Sequence, residues 1–179
     1  EWALTLDHVP PVAINLSARQ LAQAGLPETV GAIVAAAAID PRLLEFELTE
    51  SMLMTDPEAA VAILSQLKAQ GMRLSVDDFG TGYSSLAYLK RFPLDALKID
   101  RTFVRDLPAD SDDAAITKAV ISLAHSLNLK VVAEGVETIG HVRALEAYHC
   151  DEIQGYYVSR PLPPHACVAL LAERVQRAA

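Results

Sequence analysis

Cysteine is nearly absent from this chain: Cys150 and Cys167 are the only two in 179 residues, too few for a disulfide framework. Neither has a second Cys or a His at the spacing of a structural zinc site. Long apolar runs are missing as well. Stretches such as Ala35 to Ile39 fall far short of the roughly 20 residues a bilayer-spanning helix needs. The start at Glu1-Trp2 lacks the basic-then-apolar order of a secretory leader. These absences lead to the expectation of a cytoplasmic domain without direct membrane contact. Positive charge is scarce, with 15 Lys and Arg against 23 Asp and Glu and a net charge of −8, which argues against DNA as a partner, because phosphate backbones demand basic surface. A phosphate-bearing substrate would need metal ions or a local basic pocket. No low-complexity linker interrupts the chain, so one domain is expected.

What is present is alternation. Short runs rich in Val, Ile and Leu occupy Val12 to Ser17, Leu44 to Glu50, Arg73 to Phe79, Ala96 to Asp100, Lys130 to Glu137 and Ile153 to Ser159. Between them, apolar residues recur at three and four, the helical period. Those stretches are Pro27 to Ile39, Pro57 to Gln70, Ser84 to Arg91, Asp113 to Leu127, Ile139 to Tyr148 and Pro164 to Arg177. Ser17-x-x-Gln20 and Thr55-x-x-Glu58 have capping-box spacing, Pro57 suits a first helical position, and Asp112-Asp113 put negative charge at a helix start. Strand-then-helix units repeated in this way predict a parallel sheet covered by helices. Strands buried on both faces should be apolar throughout, yet these carry Asn15, Glu47, Asp77, Lys98, Glu134 and Gln154. One polar group from each of several strands favours a barrel with a shared mouth over an open sheet with one switch point.

Asp77-Asp78 carries the strongest chemical signal. Two carboxylates at the end of Arg73-Leu74-Ser75-Val76 repel each other and resist desolvation, and a divalent cation resolves both difficulties. The bland alternative is one Asp capping a turn beside one in solvent. Asn15, Glu47 and Glu134 sit in equivalent strand positions and are hard oxygen donors, a set that favours Mg²⁺ or Mn²⁺ over zinc. Alternation turns Glu47 away from Phe46 and Leu48, leaving Glu50 in the loop beyond, near Gly80-Thr81-Gly82, where it is either a solvated charge or an organiser of that loop. Lys98, flanked by Leu97 and Ile99, is either paired with Asp100, snorkelling to a rim, or working on an attacking water. Gln154, beside Gly155 and Tyr156, is either polar surface or a reader of a flat base edge. His125, His141 and His149 fall in helical patterns and receive no catalytic role, and the Asn15-Leu16-Ser17 sequon has no use in a cytoplasmic protein.

Taken in order, Asn15-Leu16-Ser17, Glu47-Leu48-Thr49-Glu50, Asp77-Asp78-Phe79-Gly80-Thr81-Gly82-Tyr83-Ser84-Ser85-Leu86, Lys98-Ile99-Asp100, Ala133-Glu134-Gly135-Val136-Glu137-Thr138 and Gln154-Gly155-Tyr156 resemble the EAL family of cyclic-di-GMP-specific phosphodiesterases from about Val12 to Pro163. The resemblance implies a modified (β/α)₈ TIM-like barrel, two Mg²⁺ or Mn²⁺ ions, and hydrolysis of cyclic-di-GMP to pGpG. It implies that Asn15, Glu47 and Asp77 hold one ion and that Asp77 bridges to a second held by Asp78 and Glu134. Lys98 and Glu134 would be catalytic, with Lys98 beside the attacking water. Gln154 and Asn15 would contact substrate, and Glu50 would steady the loop from Asp78 to Leu86, which couples the site to a homodimer interface. One departure stands out: the namesake Glu-Ala-Leu and a nearby Arg belong to a strand before Asn15 that is not in the sequence. The expectation is therefore that residues 1–179 are an EAL domain without its N-terminal segment and an incomplete barrel, inactive when isolated. The parent protein would be an active phosphodiesterase with an upstream sensory or GGDEF-type domain. The competing readings are an inactive cyclic-di-GMP-binding sensor or a dimerising domain.

Overall fold

The computed structural model describes residues 9–80 and 86–178, and side chains as far as residue 171. Six strands, β1 (Val12–Asn15), β2 (Leu44–Thr49), β3 (Arg73–Phe79), β4 (Ala96–Ile99), β5 (Lys130–Ala133) and β6 (Glu152–Ile153), form one sheet in sequence order. Every pairing is parallel. The helices are α1 (Ala18–Leu21), α2 (Leu26–Ala36), α3 (Glu50–Thr55), α4 (Pro57–Ala69), α5 (Leu86–Leu89), α6 (Arg101–Val104), α7 (Ser111–Ser126), α8 (Ile139–Ala147) and α9 (Pro164–Ala178).

Strand order decides between the two α/β architectures. Crossovers between parallel strands are right-handed, so a sheet whose order never reverses carries its helices on one face only. A doubly wound sheet has to reverse. Here the helices cover the outer face and the strands curl into a half-barrel. The outer face supplies the core: Phe46 and Leu48, Leu74 and Val76, Leu97 and Ile99, Val131 and Ala133 join Leu53, Leu64, Leu67, Val104, Ile121 and Leu145 in one buried cluster. Each Leu fully buried in this way contributes roughly 1.5–3 kcal/mol. Alternation then assigns the concave face to Glu47, Ser75, Asp77 and Lys98.

Local signals set most element starts. Ser17 and Gln20 form the expected capping box on α1, and Pro57 opens α4. Thr55 does not cap α4, because it still belongs to α3; the Asp56 carboxylate takes the Ala59 amide at 3.1 Å. Asp110, just ahead of the expected Asp112 and Asp113, caps α7 by accepting both their amides. The helix expected from Ser84 to Arg91 is present as α5, with Ser84 and Ser85 outside the described residues. The two last runs yield shorter strands than expected because the chain turns out of the sheet early, after Ala133 and after Ile153. At the opposite end of the sheet, Asp95 accepts the Leu74 amide at 2.9 Å and pairs with Lys68. Asp151 likewise accepts the Val131 amide and meets His125. Each carboxylate staples the start of its own strand to the strand before it.

Gly155 marks the exit of β6. A β-carbon there would sit well inside contact distance of the Val136 backbone nitrogen and carbonyl oxygen, the same groups that bond Gln154 and Tyr157. Backbone cannot swing aside as a flexible side chain can. Gly155→Ala is expected to destabilise the protein by about 1–3 kcal/mol, an overpacking cost, measured as a lowered midpoint of urea unfolding. An unchanged midpoint would mean that this approach is not close.

Candidate metal centre

The site is built on an irregularity between β3 and β4. Val76 pairs with Leu97 and Phe79 with Ile99, so Asp77 and Asp78 together stand opposite the single residue Lys98. That is a β-bulge, which bends the strand and re-aims its side chains. Asp78 takes the left-handed conformation, φ 54°, which Asp tolerates better than most residues. In a regular strand Asp78 would point into the apolar layer beneath the helices. With the bulge, Asp77, Asp78 and Glu134 each offer a carboxylate oxygen within 4.8 Å of the others.

Lys98 is the counter-charge. Its Nζ lies 2.6 Å from Glu134 Oε1, 2.7 Å from Glu47 Oε1 and 3.2 Å from Asp77 Oδ1, with only 4% of the side chain exposed. Burial alone would drive the ammonium toward neutrality, but the hydrogen bonds and charges of Glu134 and Glu47 overcome it and hold the lysine above its ordinary range. Lys98 therefore neither pairs with Asp100 nor snorkels to a rim. Asp100 turns to α6, where it accepts the Thr102 amide at 2.9 Å. It also shares a hydrogen bond with the Asp78 carboxyl group.

One ammonium cannot balance Glu47, Asp77, Asp78 and Glu134. Burial raises the pKa of Asp78 above the usual carboxylate range, and the Asp77 charge adds to it. Burial also raises Glu134, helped by Asp77 and Glu47 and opposed by Lys98. This is the strain that a divalent cation relieves, and the donor set is oxygen only. Ser75, completely buried on the same face and in register with Glu47, has a hydroxyl with no hydrogen-bond partner among the described residues. The residues fit a hard divalent cation.

The remaining candidates lie around this cluster. Asn15 ends β1 directly beside Glu47 in the register and is exposed, as is Gln154 at the end of β6. Glu50, 3% exposed, accepts the Gly80 amide through Oε2 at 3.2 Å. Its Oε1 is buried without a partner among the described residues. Thr81 to Ser85 of the expected loop lie outside the described residues. Asp100 was not singled out from sequence as part of the site; the available signal was Asp100-x-Thr102, a short helix cap immediately after a polar strand.

Residues 1–161 match the family model described as the EAL domain. The chain belongs to the EAL family. Among its relatives in Pseudomonas aeruginosa, this EAL sequence is 48% identical over 161 residues to the bifunctional diguanylate cyclase/cyclic di-GMP phosphodiesterase MucR, covering 90% of the chain and 24% of MucR. It is 49% identical over 152 residues to the cyclic di-GMP phosphodiesterase NbdA, covering 85% of the chain and 19% of NbdA. The chain thus spans a quarter or less of these relatives. The structure superposes on the PaMucR phosphodiesterase complex with c-di-GMP at a TM-score of 0.89 and 46% identity, over 93% of this chain and 67% of that one. It also resembles the manganese/cy-diGMP complex of Klebsiella pneumoniae BlrP1, with a TM-score of 0.78 and 34% identity, over 84% of this chain and 39% of that one.

Removing the ammonium from this EAL domain leaves buried like charges unopposed. Without added divalent metal at pH 7, Lys98→Met is expected to cost about 3–5 kcal/mol of stability, the penalty for deleting one partner of a buried ion pair. The carboxylates of the variant bind protons more readily folded than unfolded, so the deficit should shrink as pH falls from 7 toward 4. Chemical denaturation of both proteins at several pH values measures it. Equal stability at pH 7 would show that Lys98 does not hold the cluster together.

Proposed function

We propose that this protein is a metal-dependent phosphodiesterase that hydrolyses cyclic-di-GMP to the linear dinucleotide pGpG. The observation that carries the reading is the convergence of Asp77, Asp78 and Glu134 within 4.8 Å around a buried, protonated Lys98. An inactive sensor has no need of this arrangement. In the proposed site Asn15, Glu47 and Asp77 would hold one Mg²⁺ or Mn²⁺, and Asp77, Asp78 and Glu134 would hold a second. When bound, the ions polarise the scissile phosphate and lower the pKa of water.

The chain's own residues divide the remaining work. A lysine held above its ordinary pKa keeps its protons, so Lys98 orients the attacking water and offsets charge developing on phosphorus rather than removing a proton. Glu134, 2.6 Å from the Lys98 ammonium, is the carboxylate proposed to receive the proton of the water. The water oxygen then bonds to phosphorus, one ring phosphoester bond breaks, and the freed sugar oxygen is protonated. Gln154 and Asn15, exposed at the ends of the two edge strands β6 and β1, contact the substrate outside the reacting centre. Glu50, through its bond to the Gly80 amide, steadies the loop that follows β3 and, in a homodimer, links it to the partner.

Larger context supports a multidomain, cytoplasmic signalling protein. MucR and NbdA are several times longer than this chain, and among the described residues no helix is long and apolar enough to cross a membrane. The half-barrel is proposed as part of an eight-stranded barrel completed upstream, because β1 is an edge strand paired only with β2, and its Val12 and Ile14, 41% and 39% exposed, lie on the helix-bearing face where a further helical layer would cover them. Residues 1–179 would then be an EAL domain without that upstream part.

Asp77→Asn should lower hydrolysis of cyclic-di-GMP by more than about 100-fold, the scale of a misplaced reacting centre, while nucleotide binding by calorimetry weakens far less. Turnover near the parental rate would remove Asp77 from the bridging role. Joining the upstream barrel segment of the parent gene to residues 1–179 should raise both the melting temperature and pGpG production with Mg²⁺ or Mn²⁺. Equal turnover by the shorter chain would refute the proposed completion of the site.

A further inference from the structure

Beside the carboxylate cluster lies a cleft lined by Arg101, Arg105, Gly135, Glu137, Thr138 and His141. His141 stands on the first turn of α8 and is 7% exposed. Its backbone amide donates to the hydroxyl of Thr138, the α8 cap, at 3.1 Å. Its ring nitrogen Nδ1 lies 3.2 Å from the Glu137 amide nitrogen. A backbone N–H can only donate, so Nδ1 must accept, and the imidazole is neutral with its proton on Nε2. The two bonds resemble a capping box displaced by one residue: Thr138 takes the His141 amide, and the His141 ring takes the amide of Glu137, the residue before the cap.

What this bond holds is the segment that presents Glu134. The Glu134 amide donates to the Ile99 carbonyl at 3.1 Å and the Val136 amide to the Gln154 carbonyl at 3.0 Å. Those two bonds run from backbone to backbone and do not depend on side-chain identity. The Glu137 amide depends on one imidazole. Slack is small, because Gly135 turns with φ +67° against the Arg101 side chain immediately after Glu134. Loss of the acceptor would leave the Glu137 amide unpaired in a half-buried place and free the turn to relax.

We propose that His141 is a positioning residue: its neutral Nδ1 fixes the Glu134–Thr138 segment in the shape that aims the Glu134 carboxylate at Asp77, Asp78 and Lys98. The inference rests on the reading of those carboxylates as a metal site. His141 touches neither substrate nor metal and acts through the backbone of its own loop, as partners behind the ligands of metal sites do.

Mn²⁺ titration calorimetry on the intact protein, well below its melting temperature, tests this with His141→Gln and His141→Leu. Gln offers an oxygen to the same amide, whereas Leu fills the space without an acceptor. The Leu variant should bind Mn²⁺ about 10-fold more weakly, and Gln should recover most of that loss. In metal-free wild type, ¹⁵N spectra of the ring should show Nδ1 unprotonated. Equal Mn²⁺ affinity in wild type and the Leu variant, an equal loss in both variants, or a protonated Nδ1 would each overturn the proposal. Failure of wild type itself to bind Mn²⁺ would instead sink the metal-site reading, and the positioning role with it. A Leu variant that fails to fold leaves the Gln comparison and the ring spectrum to decide.

Discussion

The concave face of this protein is organised around one ammonium group. Lys98 enters from the middle of β4, between two completely buried apolar neighbours, and meets carboxylates from β2, β3 and the end of β5. Each of those acids would be costly to bury alone and still more costly beside the others. Their side chains can share one small volume because a cation fixed by the strand register stands among them. The balance is incomplete, since the charges on the acids outnumber the lysine. That deficit shows as the raised proton affinity of Asp78 and Glu134.

Curvature and the bulge make this meeting possible. Sequential parallel order puts every helix outside, so the inner ends of successive strands approach one another instead of spreading along a flat edge. A flat sheet would keep β2 and β5 apart, with β3 and β4 between them. The bulge at Asp77-Asp78 contributes the second acid of β3 at the expense of one left-handed residue. Stability has to come from elsewhere, because a face carrying Glu47, Ser75, Asp77 and Lys98 cannot also be an apolar core. It comes from the outer layer, where Leu48, Leu64, Leu67, Leu74, Leu97 and Leu145 are sealed from solvent. Fold energy and site chemistry thus occupy opposite faces of the same strands.

This division explains what could be read from the sequence and what could not. Apolar runs interrupted by one polar residue announce strands with a wet or functional inner face, and Asn15, Glu47, Asp77, Lys98 and Glu134 could be placed at strand ends on that ground. Whether the sheet closes or opens depends on strand order, which periodicity does not encode. The partners of Lys98 were equally hidden: Asp100 is two residues away, while Glu47 and Glu134 are 51 and 36 residues distant in the chain, and only the register brings them together. The bulge that turns Asp78 to the same side as Asp77 was hidden too, because it breaks the period of two by which a strand's faces are read. His141 went unread for a related reason. A histidine in a helical pattern looks like any other until the turn before it is seen to lack another acceptor for the Glu137 amide.

The protonation of Lys98 also narrows the chemistry open to the cluster. A lysine poised near neutrality could pass a proton to or from water, and the sequence left that possibility standing. Held between Glu47 and Glu134, its ammonium gives up a proton only if two short charge-assisted bonds are weakened together. It is therefore a fixed donor whose orientation is set by the same acids that surround it. Burial raises the proton affinity of Asp78 and Glu134, and Glu134 also contacts Lys98 at 2.6 Å. Acid and donor are thus adjacent and electrostatically coupled. Anything that shifts the short turn after β5 moves Glu134, one of the two shortest anchors of the lysine. The precision of the centre consequently depends on backbone geometry at Glu134 to Thr138 as much as on the identity of the acids.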